Sequence, residues 1–554
     1  MKHNENKTQS LTGLDATFLY LESAEMPMHV GSFSLCALPA SFKGSFHKAV
    51  LAHISKRLHL APLFSRKLVF MPMDLGHPLW VEADTVDVAF HIRRADSAKK
   101  GSVAMTLHDA HAMCAQLHSE LIDRNFPLWE FHVFDRIQLP DGSTVAGFLS
   151  KIHHAALDGN GGVALANALL DTTPIPRAVP PPGTKARGLH EADLKISKMV
   201  GTVFSSSLAQ LVKAAKLLPS AAGLASAALA KRFSTTSEKT SSMRLKLAPS
   251  TRFNTGVDTG RVFAVASAPL DDCKAIGKAV GASLNDVVLW ICSTALRNYL
   301  TQRYSLPEKS LVAAMPVSLR QSGLQDATAM GNQVSMSLVE LGTHLASPLK
   351  RIKAIMRSTG KVKSSLGSLK GLLPTDYPSL LAPWLVGGAA KLAWNAAAKS
   401  DWFSRIPTGA NVVISNVPGA PVPLYLAGAQ VLTFHPLSVI VHGLALNITV
   451  QTYAGRMDFG IVADKKALPD ADDLAMAIKA AFGEALALMG PAMPVAANPL
   501  VSKASQIRAA AKQLPTYIPK RAATGSKSVP SEVLNIPNHG NPVIKKSGKR
   551  AVKV

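Results

Sequence analysis

Ser150 to Gly162 reads SKIHHAALDGNGG. The strand-like run STVAGFLSKI leads into His153-His154, Asp158 follows four residues after His154, and Gly159, Gly161 and Gly162 close the stretch. Adjacent side chains on a strand point to opposite faces, so only one of the two histidines can face a given cavity while its neighbour packs. A neutral imidazole, with an ordinary pKa of about 6.5, is suited to take a proton from a hydroxyl or amine as that group attacks an acyl carbonyl. Asp158 can hold local geometry through an ion pair. The glycines let the backbone turn tightly away from the strand and leave room for a substrate. Taken alone, a His-His pair is more often structural than catalytic.

Working outward, Leu11 to Thr172 alternates short strand-like runs (HVGSFSL, STVAGFLSKI) with helix-like ones (HKAVLAHISKRL, AMTLHDAHAMCAQLHSEL), the pattern of a mixed α/β layer. Pro174 to Gly188, PIPRAVPPPGTKARG, holds five prolines and three basic residues and reads as an extended connector. Beyond it, Ile196, Met199, Val200, Val203, Phe204, Leu208, Leu211 and Val212 recur near helical spacing, with Lys195, Lys198, Lys213 and Lys216 elsewhere around the turn. That pattern predicts a basic amphipathic helix within Leu194 to Phe233, interrupted near Pro219. Arg261 to Gly490 is again α/β, with strands such as GRVFAVASAPL, LVAAMPVSL, ANVVISNV, ALNITVQTY and MDFGIVA. The division expected is therefore 11–172, a connector 173–260, 261–490, and a basic, disordered tail 491–554.

Composition limits the function. Of 554 residues 47% are apolar and only 17% charged, with a mean hydropathy of +0.16, so much of the chain is buried. The net charge is +24, but Arg177 to Arg261 (14 basic, 4 acidic) and Val501 to Val554 (11 basic, 1 acidic) hold +20 of it. The charge thus belongs to a connector and a tail rather than to a continuous nucleic-acid face, and aromatics for base stacking are sparse at 6%. Cys36, Cys114, Cys273 and Cys292 lack metal-ligand spacing and suit a reducing compartment. The start MKHNENKTQS shows no export signal, so a cytoplasmic location is expected. Ile406 to Gly455 is free of Asp, Glu, Lys and Arg, but its five prolines make it buried strands rather than a membrane span. His108 and His111 are spaced i, i+3 and His118 lies beyond, but no convergent carboxylate accompanies them, and no metal site is expected.

HHAALDG matches the HHxxxDG motif of the CoA-dependent acyltransferases. Further segments resemble the bacterial wax ester synthase/diacylglycerol acyltransferase family in that family's order. These are LDATFLYLESAEMPMHVGS (Leu14 to Ser32), the PLW element Pro127-Leu128-Trp129, and the ND motif Asn285-Asp286 in SLNDVVL. PVSLR (Pro316 to Arg320), GNQVSMSL (Gly331 to Leu338) and SNVPG (Ser415 to Gly419) add three more, so the resemblance spans both halves. HPLWVEAD (His77 to Asp84) repeats the letters PLW in unrelated surroundings and reads as strand packing.

The resemblance implies an α/β fold of two chloramphenicol-acetyltransferase-like domains, each a mixed β-sheet flanked by helices, with a tunnel between them. It implies acyl transfer from acyl-CoA, a co-substrate rather than a cofactor, to diacylglycerol or a long-chain fatty alcohol, with His154 as general base and His153 and Gly159 beside it. Asp158 takes a structural role, with Arg320 its candidate partner. Asn285 either donates to the oxyanion or caps the helix NDVVLWICSTAL. Asp286 complements the helix dipole more readily than it acts in the reaction. Trp129, with Pro127 and Leu128, is a packing residue before it is a substrate contact. Such substrates partition into lipid, so the basic helix and tail are expected to meet an anionic membrane or lipid-droplet surface, placing the protein peripherally on the inner membrane or lipid bodies. The competing readings are a carrier-protein-dependent condensation enzyme and a non-catalytic lipid-droplet or lipid-binding protein.

Overall fold

The computed structural model describes residues 9–71, 77–95, 105–157, 161–182, 247–318, 334–369 and 408–489. The expected amphipathic helix, the tail, Asp158, Gly159 and Arg320 lie outside the described residues. In the first half the order is β1 (Gln9–Ser10), α1 (Gly13–Leu21), β2 (His29–Ala37), α2 (Phe46–Ser55), β3 (Arg66–Val69), β4 (Leu79–Glu82) and α3 (Val88–His91). Then follow β5 (Ile92–Arg94), β6 (Met105–Thr106), α4 (Leu107–Ser119), β7 (Trp129–Gln138), β8 (Thr144–His153) and α5 (Gly161–Leu169). The second half begins β9 (Arg261–Pro269), α6 (Leu270–Val280), α7 (Leu284–Arg303), β10 (Val312–Ser318), β11 (Val334–Glu340) and α8 (Pro348–Leu369). It continues β12 (Val412–Val417), β13 (Tyr425–Leu426), β14 (Ala429–Val431), β15 (His435–Leu437), β16 (Leu446–Tyr453), β17 (Arg456–Asp464) and α9 (Ala471–Ala487).

Two large sheets organise these elements. One runs β13-β14-β2-β8-β7-β5, with β15 also on β2 and β6 on β7; the other runs β11-β10-β12-β16-β17-β9. Both are mixed: β5 and β6 lie parallel to β7, and β10, β12 and β16 are parallel neighbours. β8 and β17 are buried on both faces, which is why their central runs VAGFL and FGIVA are apolar without alternation. β1, β4 and β3 form a small third sheet, which accounts for the HPLWVEAD run as strand packing.

The helices start and stop where their sequences dictate. Ser45 caps α2, Thr106 and Asp109 form a capping box on α4, and Ser283 and Asp286 form another on α7. α6 ends at Gly281, whose φ of 69° is left-handed and favours glycine. Among the described residues no single helix is long and apolar enough to cross a membrane. The bent pair α6 and α7 passes that test by length and composition, but α7 is the central core helix of the second half, buried from Asp286 to Leu296.

Residues 425–437, assigned to the second half, cross over and extend the first half's sheet. β13 and β14 form a hairpin whose turn residues, Ala427 and Gly428, have φ of 49° and 86°, the two-residue geometry that suits strand twist. β14 and β15 then pair with β2, satisfying main-chain groups that would otherwise face outward along an edge. Within the stretch expected to be connector, Phe253 is buried in the second core, and Asn254 binds Thr408, Ala410, Asn411 and Gly443. A third core lies between the sheets, where Phe33, Phe134 and Cys114 from the first half meet Phe263, Leu437 and Val462. All described residues fall within one compact unit.

Candidate active site

β8 delivers its last residue, His153, into a fully buried site. Its Nε2 lies 3.2 Å from Oε1 of Glu22, and its Nδ1 accepts the Ala155 N–H at 3.1 Å, capping the single helical turn His154–Ala156. Glu22 stands at the C-terminal end of α1, a helix set by the Thr12 cap on Asp15. The same Oε1 lies 3.2 Å from Nε2 of His29 and accepts the Met28 N–H at 3.1 Å, while Oε2 accepts from Arg124 at 2.6 and 3.0 Å. Burial would raise the Glu22 carboxyl, but His153 and His29 outweigh it and hold the group well below the usual carboxylate range. Burial lowers His29 to about 4, with Glu22 opposing and Lys151 and His153 assisting.

His154 turns the other way, as strand alternation requires. Its main-chain N–H donates to the Met28 carbonyl at 2.8 Å, and its ring stacks on Phe18 of α1 with centroids 3.8 Å apart and planes 15° from parallel. Burial lowers its imidazole to about 4, with His153 adding a little and the main chain opposing. Nδ1 of His154 is buried and has no hydrogen-bond partner among the described residues. A buried, unsatisfied ring nitrogen carries a desolvation cost that a bound polar group would relieve. The pair therefore divides its labour: His153 is held by Glu22 and shapes the turn, and His154 presents a neutral imidazole with an unoccupied acceptor or donor position.

The PLW element borders this turn through its backbone. The His153 N–H donates to the Leu128 carbonyl at 3.0 Å, and Trp129 pairs in register with Ile152. The side chains pack inward, with Pro127, Leu128 and Trp129 all buried. The Trp129 indole N–H donates to the Phe64 carbonyl at 3.3 Å, and its ring stacks on His91 at 4.2 Å between Phe64 and Phe131.

Asn285 and Asp286 occupy the first turn of α7, in the second half. Of the two readings of Asn285, the cap is made by Ser283, whose hydroxyl sits one turn ahead of the Asp286 N–H. Asp286 accepts from the Ser283 N–H and hydroxyl at 3.0 and 2.6 Å and from the Thr359 hydroxyl at 2.8 Å. Its carboxylate is committed to the helix start and to α8. Asn285 donates one amide N–H to the Met315 Sδ at 3.3 Å, and none of the described hydrogen bonds joins it to the His154 turn. The α4 histidines are dispersed: His108 lies 3.4 Å from Asp472, His111 sits edge-on to Phe33 and Phe263, and the His118 ring N–H donates to the His29 carbonyl at 3.1 Å.

The residues that sequence reasoning did not single out are Phe18, Glu22, His29 and Arg124. Phe18, Glu22 and His29 lie in the Leu14 to Ser32 stretch, where a carboxylate at the end of an apolar helix and a histidine opening a strand are the only local signals. Arg124 joins them from more than 100 residues away in the chain, which no spacing reveals.

A family model described as the wax ester synthase/diacylglycerol acyltransferase catalytic domain matches residues 11–288, and the family's C-terminal domain model matches residues 330–485. The chain belongs to this family. A Mycobacterium tuberculosis protein named as a diacylglycerol O-acyltransferase is 33% identical over 467 residues, covering 82% of this chain and 94% of the relative. An Acinetobacter baylyi O-acyltransferase is 31% identical over 468 residues, covering 83% and 93%. The solved wax ester synthase/diacylglycerol acyltransferase of Marinobacter aquaeolei VT8 is 26% identical, with a TM-score of 0.59, over 87% of this chain and 100% of that one. This wax ester synthase/diacylglycerol acyltransferase family member is accordingly an O-acyltransferase with the chloramphenicol-acetyltransferase-like α/β fold.

Proposed function

We propose that the chain moves a long-chain acyl group from acyl-CoA to the hydroxyl of diacylglycerol, a fatty alcohol, or both, with His154 as general base. The observation that supports this is the His154 ring: half-buried, stacked on Phe18, neutral, and with a buried Nδ1 that has no hydrogen-bond partner among the described residues. In the proposed reaction the acceptor hydroxyl gives its proton to His154 as its oxygen bonds to the thioester carbonyl carbon. The C–S bond then breaks, and His154 returns the proton to the departing sulfur, giving the ester and free CoA with no acyl-enzyme. Burial makes an isolated imidazolium unfavourable, but the oxyanion forms close by in the same low-dielectric site and offsets that charge. In this reading Asn285, with one amide N–H beyond the bond to Met315, supports the oxyanion. Asp158 and Gly159 keep the structural roles expected of them, and the two sheets flank the acyl and acceptor channel. The apolar substrates bring the protein to an anionic membrane or lipid-droplet surface.

The test is CoA-thiol release from palmitoyl-CoA with hexadecanol, with dipalmitoylglycerol, or with no acceptor, alongside identification of the lipid products. Acceptor-dependent release is expected, falling by at least about 100-fold in His154→Ala. A folded, detergent-dispersed protein that releases CoA with neither acceptor would overturn the acceptor assignment.

A further inference from the structure

α8 is a helix the sequence patterns do not single out, and its outer face carries several cations and no carboxylate. From Pro348 to Leu369 it contains six cations and no Asp or Glu. One of the six faces inward: Arg351 is buried, donates to the Leu345 and Ala346 carbonyls and to the Thr294 hydroxyl, and lies 3.7 Å from Glu484. Ile352 and Ile355 are buried beside it and Thr359 binds Asp286, so the helix is a fixed platform on α7. The opposite face exposes Lys350, Lys353, Arg357 and Lys361, which at 100° per residue fall in one narrow stripe.

The stripe is uncompensated. Some exposed cations elsewhere have carboxylate partners, as in Lys274 with Asp271, Lys466 with Asp258 and Arg303 with Asp473, and others such as Lys43 and Lys278 stand singly; on α8 four fall in one row. None of the four stripe residues makes an ion pair with another described residue. Their spacings of three, four and four place like charges side by side on the helix, which costs a few tenths of a kcal/mol per pair. Lys350 also stands in the first turn, where the helix dipole disfavours a cation. A set of repulsions left without internal relief calls for an external anion. The stripe runs about 16 Å along a convex helix, so it suits an extended anionic plane rather than a single phosphate in a cradle. Leu349 is 46% exposed at the same end of the helix, an apolar side chain placed to enter a headgroup layer. No aromatic accompanies the stripe to stack on nucleobases.

We infer that the outer face of α8 is a docking surface for an anionic phospholipid bilayer, with Lys350, Lys353, Arg357 and Lys361 on the headgroups and Leu349 inserted. The inference rests on the proposed membrane association and assigns it to a folded element rather than to the connector and tail alone.

The test uses the full chain and flotation with vesicles of phosphatidylcholine alone or of phosphatidylcholine and phosphatidylglycerol in a three-to-one ratio. One variant carries Lys350→Gln, Lys353→Gln, Arg357→Gln and Lys361→Gln. A control of equal net charge carries Lys43→Gln, Lys48→Gln, Lys56→Gln and Lys278→Gln. The α8 variant should lose at least about tenfold in partitioning onto the anionic vesicles while the control stays near the unmodified chain, and activity on detergent-dispersed acceptor should be unchanged. Equal loss in both variants, or none in the α8 variant, would overturn the assignment. Displacement of the unmodified chain by millimolar CoA at constant ionic strength would overturn it in favour of the co-substrate's phosphates. Absence of binding by the unmodified chain to anionic vesicles would instead remove the membrane reading on which it rests.

Discussion

His154 illustrates how burial and reactivity are coupled in one side chain. Water exclusion by Phe18 and the Met28 backbone keeps the imidazole neutral, and its lowered pKa of about 4 has a definite sign in the rate. In the proposed reaction the neutral ring is the active form, so lowering its pKa extends activity to more acidic pH. In the free enzyme kcat/KM should stay level from neutrality down to about 5, where an unshifted imidazole would already have lost most of its base form. The half-point should fall near about 4. The same shift makes stability fall as the pH is lowered. His29 and His154 bind protons more readily unfolded, so the stability they contribute is complete above about 6.5 and declines toward the folded value. Initial rates are therefore to be measured with ellipticity followed on the same samples; a half-point near the ordinary imidazole value in folded protein would contradict the neutral, desolvated base.

Among the elements, β15 has the most demanding contact. It crosses from β2 onto β17, where Gly460 lies so close beneath it that an added Cβ would stand 1.7 Å from the Pro436 carbonyl oxygen and 2.8 Å from its carbon. Backbone cannot yield as a flexible side-chain tip can, so glycine at this position is a packing requirement rather than a conformational one. Gly460→Ala should cost about 3 kcal/mol or more, read as a fall in the urea midpoint. Because β15 also carries Leu437 of the core between the sheets, the same variant should weaken the junction of the two halves. A midpoint unchanged by the substitution would show that β15 does not hold this approach in solution.

For the whole molecule, the exchanged strands make the halves interdependent. Residues 1–182 alone would lack β13, β14 and β15, leaving β2 with one open edge and Phe33, Phe134 and Cys114 without their cover from Phe263 and Val462. That segment expressed alone should show no cooperative thermal transition by circular dichroism, and one comparable with the intact chain would refute the interdependence. The alternation of strand and helix in each half was legible in the sequence; the crossing of β13 to β15 was not, since they are only two or three residues long.

The sequence by itself determined many of the elements and the strand end that carries the two histidines. Periodicity placed β8, β9, β16, β17, α2 and α4, and the HHAALDG stretch at a strand end placed two histidines on diverging paths, because these signals are local and the backbone geometry that reads them is fixed. Tertiary structure alone decided which groups surround them. Glu22, His29 and Arg124 converge on His153, Phe18 covers His154, and Asp286 is drawn to Ser283 and Thr359, through contacts made across long stretches of chain. Desolvation and hydrogen bonding act through space, so neither the pKa of a histidine nor the partner of a carboxylate is written in its sequence neighbours.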